Sequence, residues 1–231
     1  MLATLAISAA PASQVERDTV VVLHGMGRTK LSMNPLANEL RRQGFAVINF
    51  SYPSTRRSIA ESSELLRRQL AAVSMTQESR THFVTHSLGG IVVRAMLKEY
   101  RPPNLGRVVM LSPPNQGSEV ADRLRNNFAY RLATGPAGQE LGTNDASTPN
   151  ALGPVDFPLG VIAGDRSFNP LFSSWIPGGD DGKVSVRRAQ VEGMADFLVV
   201  PHSHSFIMRS QQVGAQVVHF LRHGKFERPS A

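Results

Sequence analysis

The 231-residue sequence contains no cysteine. That absence removes disulfides, thiolate nucleophiles and thiolate metal sites together. Long apolar runs are missing too. No stretch approaches the ~20 residues of a membrane-spanning helix, so the chain does not cross a bilayer as one uninterrupted helix. Acidic residues are in short supply, with 18 Asp and Glu against 25 Lys and Arg, a formal net charge of +7. Such a charge can steer a protein toward anionic partners. Much of it, however, lies in short pairs spread along the chain: Arg41-Arg42, Arg56-Arg57, Arg67-Arg68 and Arg187-Arg188. Two of these pairs fall in helical patterns, where they form the solvated face. No aromatic-basic surface of the nucleic-acid-binding kind accompanies them. Nucleic acid is therefore excluded as the expected partner.

What is present suits one α/β domain. A chain of this length buries roughly 70–75% of its unfolded surface around one core. Thr19–Leu23 is a β-branched run ending in His24-Gly25. Phe45–Phe50, Thr81–Thr85, Arg107–Leu111, Leu159–Ala163, Lys183–Val186 and Phe197–Val200 read as further strands. Helical spacing covers 33–43, 59–73, 88–100 and a final helix from about Ser205 to Arg222. Strands alternating with helices of this length imply a mostly parallel sheet covered on both faces. Between 115 and 158 the pattern lapses into Gly, Pro, Thr and Asn, apart from a helical stretch at 118–133. A segment that long without a strand is expected to be a cap or lid over a cleft.

The N-terminus has two readings. Leu2 to Ala10 is apolar and Ala10-Pro11-Ala12 resembles a small-x-small cleavage site, but a positive n-region is missing. Residues 1–18 are a truncated export signal or a frayed leader, which leaves a cytoplasmic or an exported location open. The domain itself is taken as 19–231.

The segment Thr85-His86-Ser87-Leu88-Gly89-Gly90 joins a strand to a helix, the context of a nucleophile elbow. A serine at such an apex is held strained, with its hydroxyl exposed above the sheet. Positions two before and two after must be small, and Gly89 meets the second demand. Thr85 departs from the usual glycine at the first. Acyl transfer also needs donors aimed at the oxygen that turns negative. The Leu88 N–H is one, and the Met26 N–H of His24-Gly25-Met26-Gly27 is the other.

On a fold of this order the acid and then the base follow the serine. Of the histidines beyond Ser87, His202 and His204 lie between the last strand and the last helix, and His204 is the preferred base. Asp181, in Asp181-Gly182-Lys183-Val184, is the preferred acid. It precedes His204 by 23 residues, room for one strand pair. Asp165 and Asp180 are the alternatives.

These residues resemble the bacterial α/β-hydrolase lipases and esterases, the triacylglycerol-lipase-like serine hydrolases. The likeness also takes in Ser112-Pro113-Pro114-Asn115-Gln116-Gly117-Ser118, Asp181-Gly182-Lys183-Val184-Ser185-Val186 and Ser203-His204-Ser205-Phe206. It implies hydrolysis of a small-molecule or lipid carboxylic ester through an acyl-enzyme, without metal or cofactor. The expected protein is a monomer that meets its substrate in solution or at a lipid interface. An acyltransferase or thioesterase would use the same residues, and a non-catalytic membrane-docking module is the rival from another class.

Overall fold

The computed structural model describes residues 17–72 and 79–228, so Val73 and residues 1–16 of the leader lie outside the described residues. The elements run β1 (Thr19–Leu23), α1 (Asn34–Arg42), β2 (Ala46–Phe50), α2 (Ile59–Ala71), β3 (Thr81–His86), α3 (Leu88–Glu99), β4 (Leu105–Leu111), α4 (Glu119–Leu124), α5 (Phe128–Gln139), α6 (Thr148–Ala151), β5 (Leu159–Gly164), α7 (Pro170–Ser173), α8 (Val186–Ala189), β6 (Asp196–Val200) and α9 (Gln211–His223). The strands form one sheet in the order β2-β1-β3-β4-β5-β6, and every pairing is parallel.

Parallel strands need crossovers, and the helices that supply them cover both faces, so the strands are buried on both sides. In β1 the two faces are visible residue by residue. Val21 and Leu23 join Phe83, Ile91 and Val92 in the core beneath α2 and α3. Val20 and Val22 join Val84, Val109, Leu40 and Val217 beneath α1 and α9. Each such fully buried aliphatic side chain contributes roughly 1.5–3 kcal/mol relative to exposure. The polar faces of the helices stay wet, and on α2 Arg67 and Arg68 both reach Glu64. Among the described residues no helix is long and apolar enough to cross a membrane.

The strand order reverses direction between β1 and β3, since β2 lies outside β1 while β4, β5 and β6 build the other way. The carboxyl ends of strands flanking such a switch point splay their loops apart and leave a crevice. The loop after β1 and the turn after β3 both open there.

Three sequence expectations fail, each because a short side chain captures backbone N–H groups. Residues 183–186 form no strand: only an isolated bridge joins Asp180 to Ser185. The Ser185 hydroxyl then accepts from the Arg188 N–H and starts α8 instead. The stretch 118–133 is two helices, because Asn127 caps a fresh start by accepting from the Tyr130 N–H. The last helix begins at Gln211 and not near 205, with Ser210 as its cap.

Arg94 anchors the segment that follows β4. It is 3% exposed and forms no ion pair among the described residues. It donates instead to the Asn115 carbonyl at 2.9 Å, the Asn115 side chain at 3.2 Å and the Gly153 carbonyl at 2.6 Å. Burial lowers its guanidinium to about 10, still charged at neutral pH. The helix α3 thereby holds both ends of the 115–153 excursion.

Candidate active site

β3 runs directly into Ser87, whose φ of 52° and ψ of −123° lie outside the regions that L-residues prefer. Such a conformation costs of order 1–3 kcal/mol and persists only where its surroundings enforce it. Here α3 starts at the next residue, and its N-terminal turn lies hard against β1. A Cβ on Gly89 would sit 2.8 Å from the His24 carbonyl oxygen and 3.0 Å from the Leu23 Cβ. Thr85, placed where a glycine is more usual, is fully buried. Room for it comes from the facing glycine, since a Cβ on Gly90 would lie 3.2 Å from the Thr85 Oγ1.

The loop after β1 folds over the serine. A Cβ on Gly25 would meet His86 Nδ1 at 2.7 Å and Ser87 Cβ at 3.0 Å, so only glycine lets the backbone come this close. His24 shapes the loop from below. Its Nδ1 lies 2.9 Å from the Gly25 carbonyl, and its ring stacks on Tyr52 at 4.5 Å between centroids. The Tyr52 hydroxyl donates to the His24 carbonyl at 2.8 Å. Tyr52 was not foreseen from sequence, because its contact to His24 spans two strands. The N–H groups of Met26 and Leu88 have no protein acceptor among the described residues. Leu88 lacks one because the first helical residues have no intrahelical partner.

His204 closes the site from the far side. The Ser87 hydroxyl donates to His204 Nε2 at 3.0 Å, and His204 Nδ1 donates to Asp181 Oδ2 at 2.8 Å. Asp181 is held in turn: its Oδ1 accepts from the Lys183 and Val184 amides at 3.0 and 2.9 Å, and its carbonyl accepts from the His204 N–H. Burial pushes this carboxyl up. The opposing charge and hydrogen bond of His204 outweigh that and hold it below the usual carboxylate range. A Cβ on Gly164 would lie 3.0 Å from the Asp181 Cβ, so the loop settles onto the end of β5.

The other candidates lie elsewhere. Asp165 faces Arg166 at 3.6 Å and makes no contact with His204. Asp180 accepts from the Ser173 hydroxyl at the end of α7 and from the Gly182 amide of its own turn. His202 does not reach Ser87, and its Nε2 is buried without a partner among the described residues.

His86 lies between the two halves of the site. Its Nε2 donates to the His204 carbonyl at 2.9 Å. Burial, followed by the nearby His204, pushes it well below the usual imidazole range. Burial lowers His24 and His82 as well. A histidine held neutral in the fold takes up its proton only on unfolding. The unfolded chain therefore binds more protons as pH falls below ~6.5, and stability declines there by up to about 1.4 kcal/mol per pH unit per histidine. Urea unfolding at pH 7 and pH 5 should show that loss, and His86→Gln should make the slope shallower by about one proton. An unchanged slope would remove His86 from this account.

A cavity of about 280 Å³ opens over Ser87 and His204, with Val120, Ala121, Leu124 and Leu141 along one wall. That wall is carried by α4 and the chain after α5, and it is tied to the Asp181 loop. The Ser118 hydroxyl donates to the Lys183 carbonyl at 2.8 Å, and Arg188 pairs with Glu119 at 2.5 Å. The 112–118 and 181–186 motifs are thus two sides of one contact. Among the described residues no group of three or more His, Asp or Glu side chains could hold a metal ion.

A serine on a strained strand-to-helix turn, under a glycine loop at a switch point, defines the class of fold. The chain belongs to the alpha/beta hydrolase family, whose model matches residues 20–220. Among solved structures it is similar to the Bacillus licheniformis lipase BlEst2. The propeptide form has a TM-score of 0.71 at 20% identity, over 93% of this chain and 52% of that one. It is similar to phospholipase PlaB from Legionella pneumophila, at TM-score 0.69 and 19% identity, over 88% of this chain and 56% of that one. It is also similar to YbtT, a type II thioesterase of the yersiniabactin pathway, at TM-score 0.58 and 15% identity, covering 94% and 98%. The chain thus spans about half the length of the first two, and at these identities the likeness is one of fold. No curated protein matches it in sequence.

Proposed function

We propose that this chain is a serine hydrolase that cleaves carboxylic esters through an acyl-enzyme. The observation that carries the reading is the hydrogen-bonded line from Ser87 through His204 to Asp181, set in a cavity where two backbone N–H groups lack acceptors among the described residues. The Ser87 oxygen attacks the ester carbonyl carbon and its proton passes to His204 Nε2. The Met26 and Leu88 N–H groups receive the charge that develops on the carbonyl oxygen. The carbon–oxygen bond to the alcohol then breaks, and that oxygen takes the proton back from His204. Water repeats the sequence on the acyl-enzyme, giving its proton to His204 and releasing the acid and free Ser87. Asp181 keeps the imidazole in the tautomer that can accept from Ser87. His24, Gly25 and Gly89 shape the backbone that carries the donors. Residues 115–158 act as the cap, with their apolar wall facing the acyl group.

A fluorophosphonate probe should label the wild-type protein at Ser87, and labelling should vanish in Ser87→Ala. Aryl esters graded in acyl length, run beside an acyl thioester, should be hydrolysed with a dependence on chain length. Labelling that persists in Ser87→Ala, or no turnover of any acyl compound, would overturn the reading in favour of a non-catalytic module.

A further inference from the structure

Two cations share the cavity with Ser87. Arg28 follows the glycine loop and Lys183 follows the acid. Both line the cavity over Ser87 and a second groove of about 340 Å³ beside it. Among the described residues neither takes part in an ion pair, whereas Arg67, Arg101, Arg188 and Arg228 all do. Among the described residues the Arg28 guanidinium makes one long hydrogen bond, from Nη2 to the Ser205 carbonyl at 3.4 Å. Asp181, which attracts Lys183, is already engaged by His204 and two amides. Lys183 reaches solvent. Crowding by protein atoms, followed by the Arg28 charge, nonetheless lowers its ammonium from the usual range. Two like charges left unneutralised side by side repel, and an anion between them relieves that cost.

Their position relative to His204 says which part of a substrate they face. His204 borders both spaces, and it must hand its proton to the departing alcohol oxygen. The acyl group has the apolar wall of Val120, Ala121, Leu124 and Leu141. The alcohol portion is left with the side on which Arg28 and Lys183 border both the cavity and the groove. We propose that these two residues form a phosphate subsite, so that the preferred substrate is a carboxylic ester whose alcohol carries a phosphate monoester. The subsite rests on the Ser87 ester-hydrolase reading. A phosphate monoester carries about −1.5 to −2 at neutral pH, which matches two cations. The guanidinium fork spans two of its oxygens, and the ammonium serves as a point charge. The phosphate can belong to a soluble glycerol phosphate or to a lipid headgroup. Exposed Phe168 and Phe206 flank the groove, and chain length tells the two sources apart.

The test measures kcat/KM on 1-butyrylglycerol 3-phosphate and 1-butyrylglycerol, and on the hexadecanoyl pair in mixed micelles. Wild type should prefer the phosphorylated member of at least one pair. In Arg28→Gln/Lys183→Gln the ratio of phosphorylated to neutral ester should fall about 10-fold, within the range for a pair of charge-assisted hydrogen bonds at a partly exposed site. Arg28→Lys, which keeps the charge, should retain most of the ratio. A preference in the butyryl pair identifies a soluble source, and one confined to the micelles identifies a headgroup. A ratio near one in wild type, or unchanged in the double variant, overturns the subsite. Binding of glycerol 3-phosphate to Ser87→Ala by calorimetry keeps the two readings apart. Binding that weakens several-fold when Arg28 and Lys183 are neutralised supports the subsite even if no ester is cleaved, and the hydrolase reading then falls alone. Ester hydrolysis with neither phosphate preference nor binding leaves the hydrolase reading and removes the subsite.

Discussion

Ser87→Ala is expected to lower kcat on an aryl ester by about 10⁶, the loss typical when a serine hydrolase is deprived of its nucleophile. The change removes only Oγ, the atom that would bond the substrate carbonyl. His204 then has nothing to deprotonate, and a water in its place lacks the fixed position that the turn provides. The free Met26 and Leu88 N–H groups remain, so a residual rate of about 10³–10⁴ over the uncatalysed reaction is expected to survive. Stability should change little. Alanine inherits the same unfavourable φ of 52°, and the lost hydrogen bond to His204 contributes about 1 kcal/mol. Single-turnover kinetics on freshly purified variant, with melting temperature as control, separates this from misfolding. A variant that keeps a tenth of wild-type turnover would place the chemistry at another residue.

The parts of this molecule that were legible in the sequence are those whose determinants are local. β1, β3 and the turn at Ser87 are apolar runs that end on glycine-bearing turns, and their boundaries fall within a residue or two of the observed ones. The 183–186 run misled because alternation in Lys183-Val184-Ser185-Val186 imitates a strand. A carboxylate just ahead of it and a serine within it capture the backbone first, so it becomes a turn followed by α8. Capping also decided the break at Asn127 and the late start of α9. Neither was visible in apolar spacing alone. What could not be read at all is the partnership of distant segments. Tyr52 under His24, Arg94 across the base of the 115–153 segment, and Arg28 beside Lys183 each depend on the strand order. Periodicity says nothing of that order. The arginine pairs stand out in the sequence by charge alone, and Arg28 lies apart from them.

Asp181→Asn is expected to cut kcat by about 10⁴ without unfolding the protein, while Asp165→Asn should stay within about two-fold of wild type. The reason lies in how the carboxylate is gripped. Oδ1 of Asp181 accepts from the Lys183 and Val184 amides, and Oδ2 faces His204 Nδ1 at 2.8 Å. In the asparagine variant the two amides select the carbonyl oxygen for the Oδ1 place, because an NH₂ there would oppose two donors. The NH₂ must then point at His204. Nδ1 becomes the acceptor, the ring proton moves to Nε2, and Nε2 can no longer take the proton of Ser87. Turnover falls while the turn keeps its hydrogen bonds, so the melting temperature should move little. Raising pH should not restore the rate, since the fault is the tautomer and not the charge of the ring. Asp165 has no comparable reach. Its carboxylate sits 3.6 Å from Arg166 beyond the end of β5, and the 39 residues to His204 do not bring the two into contact. If Asp165→Asn abolished activity and Asp181→Asn kept most of it, the orienting role would pass to Asp165. The grip on Asp181 would then be that of an ordinary Asp turn.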